Sequence, residues 1–419
     1  MRISTNLVFQ TGLNTINLQM ADLMHLSQQI GTGQKMVTPA DDPLGAAQSI
    51  NLSQSQAQNA RYADNRAVAN QNLGTEDDAL QSLIYLMQDV RTRLVETGNG
   101  TMSDADRSTL AGVLRQAQQT ALGIANTTDG NGQFLFSGSR GDIPAYTESP
   151  VGSGNYSYQG DTLQRLIQAD QTRRIPGSDV GSDVFQRAQP GTRDYLSTAD
   201  TANTGTAILG RASIVDNALG NADAKFSFSI QFDATGTNYT VTTQDVSTAP
   251  PGAPVVGAPQ PWTPGQKTLD LGQGTSLEIR GEPAGGDTFT AEPLKHSTGL
   301  NLFQAMGALA DALEQPIQGD EKASASLRNL MNTTSQTLAT LYDNVLTVRA
   351  SVGSRMNELT ALNDTGAQRN LGYSKALSDI EDLDYYQATT QLNLRKIALE
   401  GAGLAIQTIQ GLSLFNRGK

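Results

Sequence analysis

Apolar residues recur in alternating steps of three and four near both ends of this chain. Leu13, Ile16, Met20, Leu23 and Ile30 keep that spacing, with Ser27 filling the one polar place. Such a heptad seam predicts an amphipathic helix whose apolar stripe faces a partner helix. Gly31, Gly33 and Pro39 then break it. Asp42 followed by Pro43 is a restart, because an aspartate cap accepts free amide protons and proline suits the first helical position. This second tract is expected to run to about Asn72. Another opens at Thr75-Glu76-Asp77-Asp78, with Leu80, Leu83, Met87, Val90 and Leu94 in heptad register. Gly98-Asn99-Gly100 ends it, and a further helix covers Ser103 to Asn126.

From about 130 to 290 the pattern shortens to period two. Phe226, Phe228, Ile230 and Phe232 alternate with polar residues and mark one face of a half-buried strand. Asp233-Ala234-Thr235-Gly236 supplies a turn, and Tyr239 to Thr242 reads as the partner strand. Pro250 to Pro264 holds six prolines, too many for a central strand, and predicts an exposed loop. Helix returns near Leu300. Leu327, Met331, Thr334, Leu338, Leu341, Val345, Val348 and Val352 restore the three/four alternation. Tyr373 to Leu412 reads as one last helical tract with Leu383, Leu394, Ile397 and Leu404 on one side. The order helix, sheet, helix lets the two terminal seams bury against each other, which sets the two ends of the chain side by side.

Composition narrows the classes of function. With glycine added to the 37% of other apolar residues, the 419-residue chain falls in the ordinary globular range and is long enough for about three domains. The charge is −12, from 41 acidic and 29 basic residues, and no Lys/Arg run occurs, so nucleic acid and anionic membrane are poor partners. The start, Met1-Arg2-Ile3-Ser4-Thr5-Asn6, has no apolar core or small-residue cleavage site, which argues against a conventional signal peptide. Ile397 to Phe415, the most apolar stretch, is interrupted by Glu400, Gln407 and Gln410 and falls short of a spanning helix. There is no cysteine, which removes disulfides, thiol nucleophiles and Cys-based zinc sites.

Catalytic signatures fail one by one. Gly31 and Gly33 begin a G-x-G, but Met36 stands in the third place of a dinucleotide fingerprint. Gly265-Gln266-Lys267-Thr268 lacks the adjacent Gly-Lys of a P-loop, and no G-x-S-x-G elbow is present. The two histidines, His25 and His296, have no evident second ligand. Asp379, Glu381, Asp382 and Asp384 lack the glycine and terminal glutamate of an EF-hand. They are better read as acids near a helix start, where the macrodipole favours negative charge. No catalytic, cofactor or metal site is therefore expected, and the chain is expected not to be an enzyme.

The segment Ile30 to Ala47, with Gly31-Thr32-Gly33-Gln34-Lys35 and Asp41-Asp42 before a small-residue helix, resembles the N-terminal signature of the flagellin-like family. Ser378-Asp379-Ile380-Glu381-Asp382-Leu383-Asp384-Tyr385 and the final Leu412-Ser413-Leu414-Phe415 resemble its C-terminal end. Within the family, the hook-associated branch is the better match. The start Met1-Arg2-Ile3-Ser4-Thr5, the run Ala125 to Gly138 with Phe134-Leu135-Phe136-Ser137-Gly138, Gly160-Asp161, and Gly281 to Phe289 all resemble it. Gly31 departs from the serine usual in flagellins, and 200–280 match no known element.

The resemblance implies an α+β fold: long terminal helices paired as a coiled-coil or helical bundle, with β-rich domains inserted in the middle. It implies a terminal helical assembly domain (1–40 with 376–419), a helical rod with a small β region (41–190 with 296–375) and an outer β-rich domain (191–295). The function it implies is a structural subunit of the bacterial flagellum at the hook–filament junction, exported through the flagellar type III channel and added at the hook tip. Expected partners are the first hook-associated protein, flagellin, further copies in a ring and a flagellar export chaperone. The expected assembly surface is Leu13, Ile16, Met20, Leu23, Ile30, Leu383, Leu394, Ile397, Leu404 and Leu412. The alternatives are a filament-forming flagellin and an unrelated enzyme or adhesin on a helical stalk. The latter needs chemistry in 190–295, which holds no cysteine and no histidine.

Overall fold

A computed structural model describes residues 5–97, 102–150, 153–219, 221–297 and 299–415, with the side chains of 5, 6, 8, 9, 97 and 409–415 outside the description. Helix α1 (Thr5–Thr32) is followed by α2 (Pro43–Thr97) and α3 (Asp104–Ala125). Two short hairpins come next, β1 (Tyr146–Glu148) with β2 (Tyr156–Tyr158) and β3 (Leu166–Gln168) with β4 (Arg174–Pro176), then α4 (Gly181–Phe185). The strands β5 (Tyr195–Ala199), β6 (Ile208–Ile214), β7 (Phe226–Phe232), β8 (Asn238–Asp245), β9 (Val255–Val256), β10 (Gln260–Pro261), β11 (Thr268–Gly272), β12 (Thr275–Arg280) and β13 (Thr288–Pro293) follow. Helices α5 (Leu302–Leu313), α6 (Glu321–Glu381) and α7 (Tyr385–Phe415) close the chain. The α+β reading with long terminal helices around a β-rich middle is thus the observed fold.

Contacts divide the chain into two compact units, 1–65 with 361–419 and 66–360, so that α2 and α6 are each shared out between them. In the second unit the heptad seams are closed. Leu80, Leu83, Met87, Val90 and Leu94 of α2 are buried, as are Leu327, Thr334, Leu338, Leu341, Val345 and Val352 of α6. Ser103 and Asp106 form a capping box at the start of α3, and Asn301 accepts from the Phe303 and Gln304 amides at the start of α5. Capping of this kind satisfies amide donors that the helix itself leaves free. Phe136, Tyr146, Phe185 and Phe303 pack beside these helices with ring centroids 4.6 to 5.7 Å apart.

The β-rich region is antiparallel. Its larger sheet has the order β10-β8-β7-β13-β5 with β9 also on β8, and its smaller one the order β11-β12-β6. Phe228, Ile230 and Phe232 face the core as alternation predicts, and Ile230 pairs with Val241 and Phe232 with Tyr239. In the turn, the Asp233 carboxylate accepts from the Thr235 and Thr237 amides, each at 3.1 Å. Residue Gly236 has φ +69°, a left-handed conformation that glycine adopts without steric cost. The free edge of β6 is occupied by side chains. The Leu209 amide donates to Asn329 Oδ1 at 2.7 Å, Asn329 Nδ2 donates to the Ala207 carbonyl at 2.8 Å, and Asn332 Nδ2 to the Leu209 carbonyl at 2.9 Å.

Three expectations are corrected. There is no break between Asn72 and Thr75, because α2 runs unbroken from Pro43 to Thr97. Gly74 costs a helix roughly 1 kcal/mol against alanine, less than the burial of Leu73 and Leu80 returns. The proline-rich stretch is exposed but not all loop, since Val255–Val256 and Gln260–Pro261 pair with β8 at the sheet edge, where proline is tolerated. Tyr373 to Leu412 is two helices, interrupted at Asp382 to Asp384. Of the four acids there, only Asp384 opens a helix, accepting from the Tyr386 and Gln387 amides, whereas Asp379 and Glu381 close α6.

Candidate functional site

In the terminal unit α1 and α7 pair through one seam each. Residues Gly12, Ile16, Gln19, Leu23, Leu26 and Ile30 are covered on α1, and Ala388, Leu392, Leu399, Gly403 and Ile406 on α7. A Cβ placed on Gly12 would come within 3.1 Å of Ile406 Cδ1, so the helices approach closely there. Asp22 and Arg395 form an ion pair on the exposed side of this pair.

The chain breaks that flank α1 and α7 are tied together by the backbone. Leu383 N–H donates to the Gly33 carbonyl at 3.0 Å and Lys35 N–H to the Glu381 carbonyl at 2.7 Å. Gly33 has φ +73°, and a Cβ there would meet Tyr385 Oη at 2.9 Å, so both conformation and space select glycine. Ser49 Oγ donates to the Glu381 carboxylate, which offsets the unfavourable placement of an acid in a last helical turn. The Asp41 carboxylate accepts from the Val37 and Thr38 amides at 2.9 and 2.8 Å. The Thr38 amide bond chiefly holds its pKa below the ordinary value. His25 Nε2 lies 3.1 Å from Asp41 Oδ1, yet its alignment does not make a hydrogen bond.

The expected seam residues fall into three groups. Ile16, Leu23 and Ile30 are half-buried in the α1–α7 seam, while Leu13 and Met20 are exposed beside it. Leu394, Ile397 and Leu404 are 62%, 65% and 65% exposed, on the face of α7 turned away from α1. Leu383 is half-buried in the break before α7 and does not share that face, and Leu412 lies in α7 outside the described side chains. Sequence reading missed Leu26, Ala388, Leu392, Leu399 and Ile406. The seven-residue spacing of Leu392, Leu399 and Ile406 carries the signal. It is masked by a second apolar stripe on the same helix.

The terminal unit exposes a large share of the protein's large apolar side chains. Among the described residues it holds thirteen of the twenty-three exposed large apolar side chains, yet Leu26 and Ala388 are its only fully buried apolar residues. No group of three or more His, Cys, Asp or Glu residues able to hold a metal occurs among the described residues. No described helix is long and apolar enough to cross a membrane.

Residues 3–140 match the family model described as the bacterial flagellin N-terminal helical region. The chain is 26% identical to the flagellar hook-associated protein 3 of Escherichia coli K12 over 419 residues, covering all of both chains. It is 30% identical to the B-type flagellin of Pseudomonas aeruginosa over 167 residues, covering 39% of this chain and 32% of that one. The crystal structure of Xanthomonas campestris FlgL is similar with a TM-score of 0.63 and 23% identity, over 78% of this chain and 99% of that one.

Proposed function

We infer that the chain belongs with the flagellin-like hook-associated proteins and is a structural subunit of the bacterial flagellum at the junction between hook and filament. One observation carries the reading physically: the terminal unit has two apolar faces on α7 and covers only one. A helix of this kind is marginal in water unless its apolar face is packed. Leu394, Ile397 and Leu404 each stand to gain roughly 1–2 kcal/mol from cover, taking two-thirds of the value for full burial. Neighbouring flagellar subunits supply that cover at Leu394, Ile397 and Leu404 of α7 and at Leu13 and Met20 of α1. Ile16, Leu23 and Ile30 hold α1 against α7, and Leu383 sits in the break before α7. Leu412, further along α7, is proposed to join the same surface.

The junction reading is favoured over a filament-forming flagellin by identity over the full chain rather than by extent. The hook-associated relative is 26% identical over all of it. The polar flagellin C of Vibrio parahaemolyticus is 24% identical over 96% of it, and the Pseudomonas flagellin aligns over only 39%. The relatives are structural flagellar proteins, not enzymes. The finer picture is a division into an assembly domain (1–40 with 376–419), a rod (41–190 with 296–375) and an outer β domain (191–295). The subunit is exported unfolded through the type III channel with the aid of a chaperone, seats on the first hook-associated protein as a ring and presents a surface that flagellin extends. Deleting the gene should leave hooks intact, filaments absent and flagellin in the medium. Normal filaments in the deletion strain would refute the junction role, and gold-labelled antibody along the whole filament would favour a flagellin.

A further inference from the structure

The chain has nine methionines and no cysteine, so thioethers are its most readily oxidised side chains. Among the described ones, Met20 and Met24 alone are exposed, at 44% and 59%. Met87 and Met306 are buried and the others half-buried. The two exposed thioethers sit one turn apart on α1. At 100° per residue, Leu13, Met20 and Met24 fall within about 40° of one another, beside the stripe that faces α7. They form an apolar strip that α7 does not cover.

We propose that Met20 and Met24 are an oxidation site, modified by two-electron oxidants of the hypochlorous acid or peroxide class in the free subunit and shielded in the assembled one. The proposal rests on the reading of the terminal helices as an assembly surface. With hypochlorous acid, the thioether sulfur gives a lone pair to the electrophilic chlorine, the O–Cl bond breaks and hydroxide leaves. Water then attacks the chlorosulfonium sulfur, an S–O bond forms as the S–Cl bond breaks, and chloride and two protons leave. Sulfur is oxidised by two electrons and the oxidant is reduced by two. The product is a polar, chiral sulfoxide on a strip that must be desolvated for subunits to pack. A buried polar group without a hydrogen-bond partner opposes association. Oxidised copies are therefore excluded from addition, while copies already in place keep their thioethers.

The test treats the purified full-length chain with limiting hypochlorous acid and follows each methionine peptide by mass spectrometry. Met20 and Met24 should gain one oxygen about tenfold faster than Met87 and Met306, and equal rates would overturn the proposal. Treated and untreated chains are then added to hooks from the deletion strain and scored by electron microscopy. Oxidised wild-type chain should lose incorporation, and treatment with methionine sulfoxide reductases should restore it. The variant M20L/M24L should incorporate equally well before and after the oxidant. Full incorporation of the oxidised wild type, or equal loss by the treated double variant, would overturn the proposal. Failure of untreated chain to bind hooks at all would instead count against the junction reading, and the peptide rates would still decide the oxidation site.

Discussion

Glu76 lies fully buried in the middle of α2, with Oε1 accepting from the Asp179 amide at 3.0 Å and Oε2 without a partner. Two charged groups face it. The Asp179 carboxylate repels it, and the Arg355 guanidinium, which pairs with Asp179 and donates to the Pro176 carbonyl at 3.3 Å, attracts it. Burial is the largest effect and the Asp179 charge the second, and together they push the Glu76 carboxyl up to about 8 from an ordinary value near 4.5. A folded-state pKa above the unfolded one means that folding takes up a proton. The stability of the second unit from this group is complete below the unfolded value and is lost as pH rises through the folded one. Each unit of pH between the two values corresponds to about 1.4 kcal/mol, so on the order of 3 kcal/mol is lost between pH 5 and pH 8. Glu76→Gln keeps the shape and the acceptor for the Asp179 amide but cannot ionise. Thermal unfolding of both proteins, followed by circular dichroism at pH 5 and pH 8, isolates the term as a difference between differences. Wild type should lose markedly more melting temperature over that range than the variant, and at pH 8 the variant should be the more stable. Parallel pH profiles, or a wild type more stable than E76Q at pH 8, would refute a neutral buried Glu76.

Further consequences follow from the same contacts. Leu404→Asp places a charge on an exposed face, so it should abolish incorporation at hooks while shifting the melting of the second unit by less than about 0.5 kcal/mol. A lowered core transition would show that this face closes within one chain. Limited proteolysis of the free chain should remove α1 and α7 first, leaving a fragment near 41–375. Protease-resistant ends would mean that one chain alone stabilises them. Asn329→Ala strips partners from the Leu209 amide and the Ala207 carbonyl, and should cost about 2–4 kcal/mol. Hydrogen exchange at the Leu209 amide should accelerate with it, and unchanged protection would show that the α6 asparagine does not hold the β6 edge.

Periodicity alone determined the helix–sheet–helix order and the closed seams of the second unit. A run such as Leu80 to Leu94, or Leu327 to Val352, has one apolar stripe and so only one face to bury. The strand face Phe228–Ile230–Phe232 was legible for the same reason, since its polar neighbours can only point the other way. The motif at Ile30 to Ala47 located the first chain break, because glycine and capping aspartate are demanded by backbone geometry that a local sequence must satisfy. The break at Asp382 to Asp384 lay inside a tract that reads as continuous helix, and the structure alone shows it. Tertiary structure decided what local pattern leaves degenerate. α7 carries two apolar stripes, and only the docking of α1 shows that Leu392, Leu399 and Ile406 face inward while Leu394, Ile397 and Leu404 face out. The continuity of α2 through Gly74 depends on packing that outweighs a weak local preference. The raised pKa of Glu76 depends on its burial and on the Asp179 charge, more than a hundred residues away in the chain, acting against the pull of Arg355. Hydrophobic spacing constrains a residue's neighbours three and four places along. Which stripe meets which partner depends on contacts that no local pattern contains.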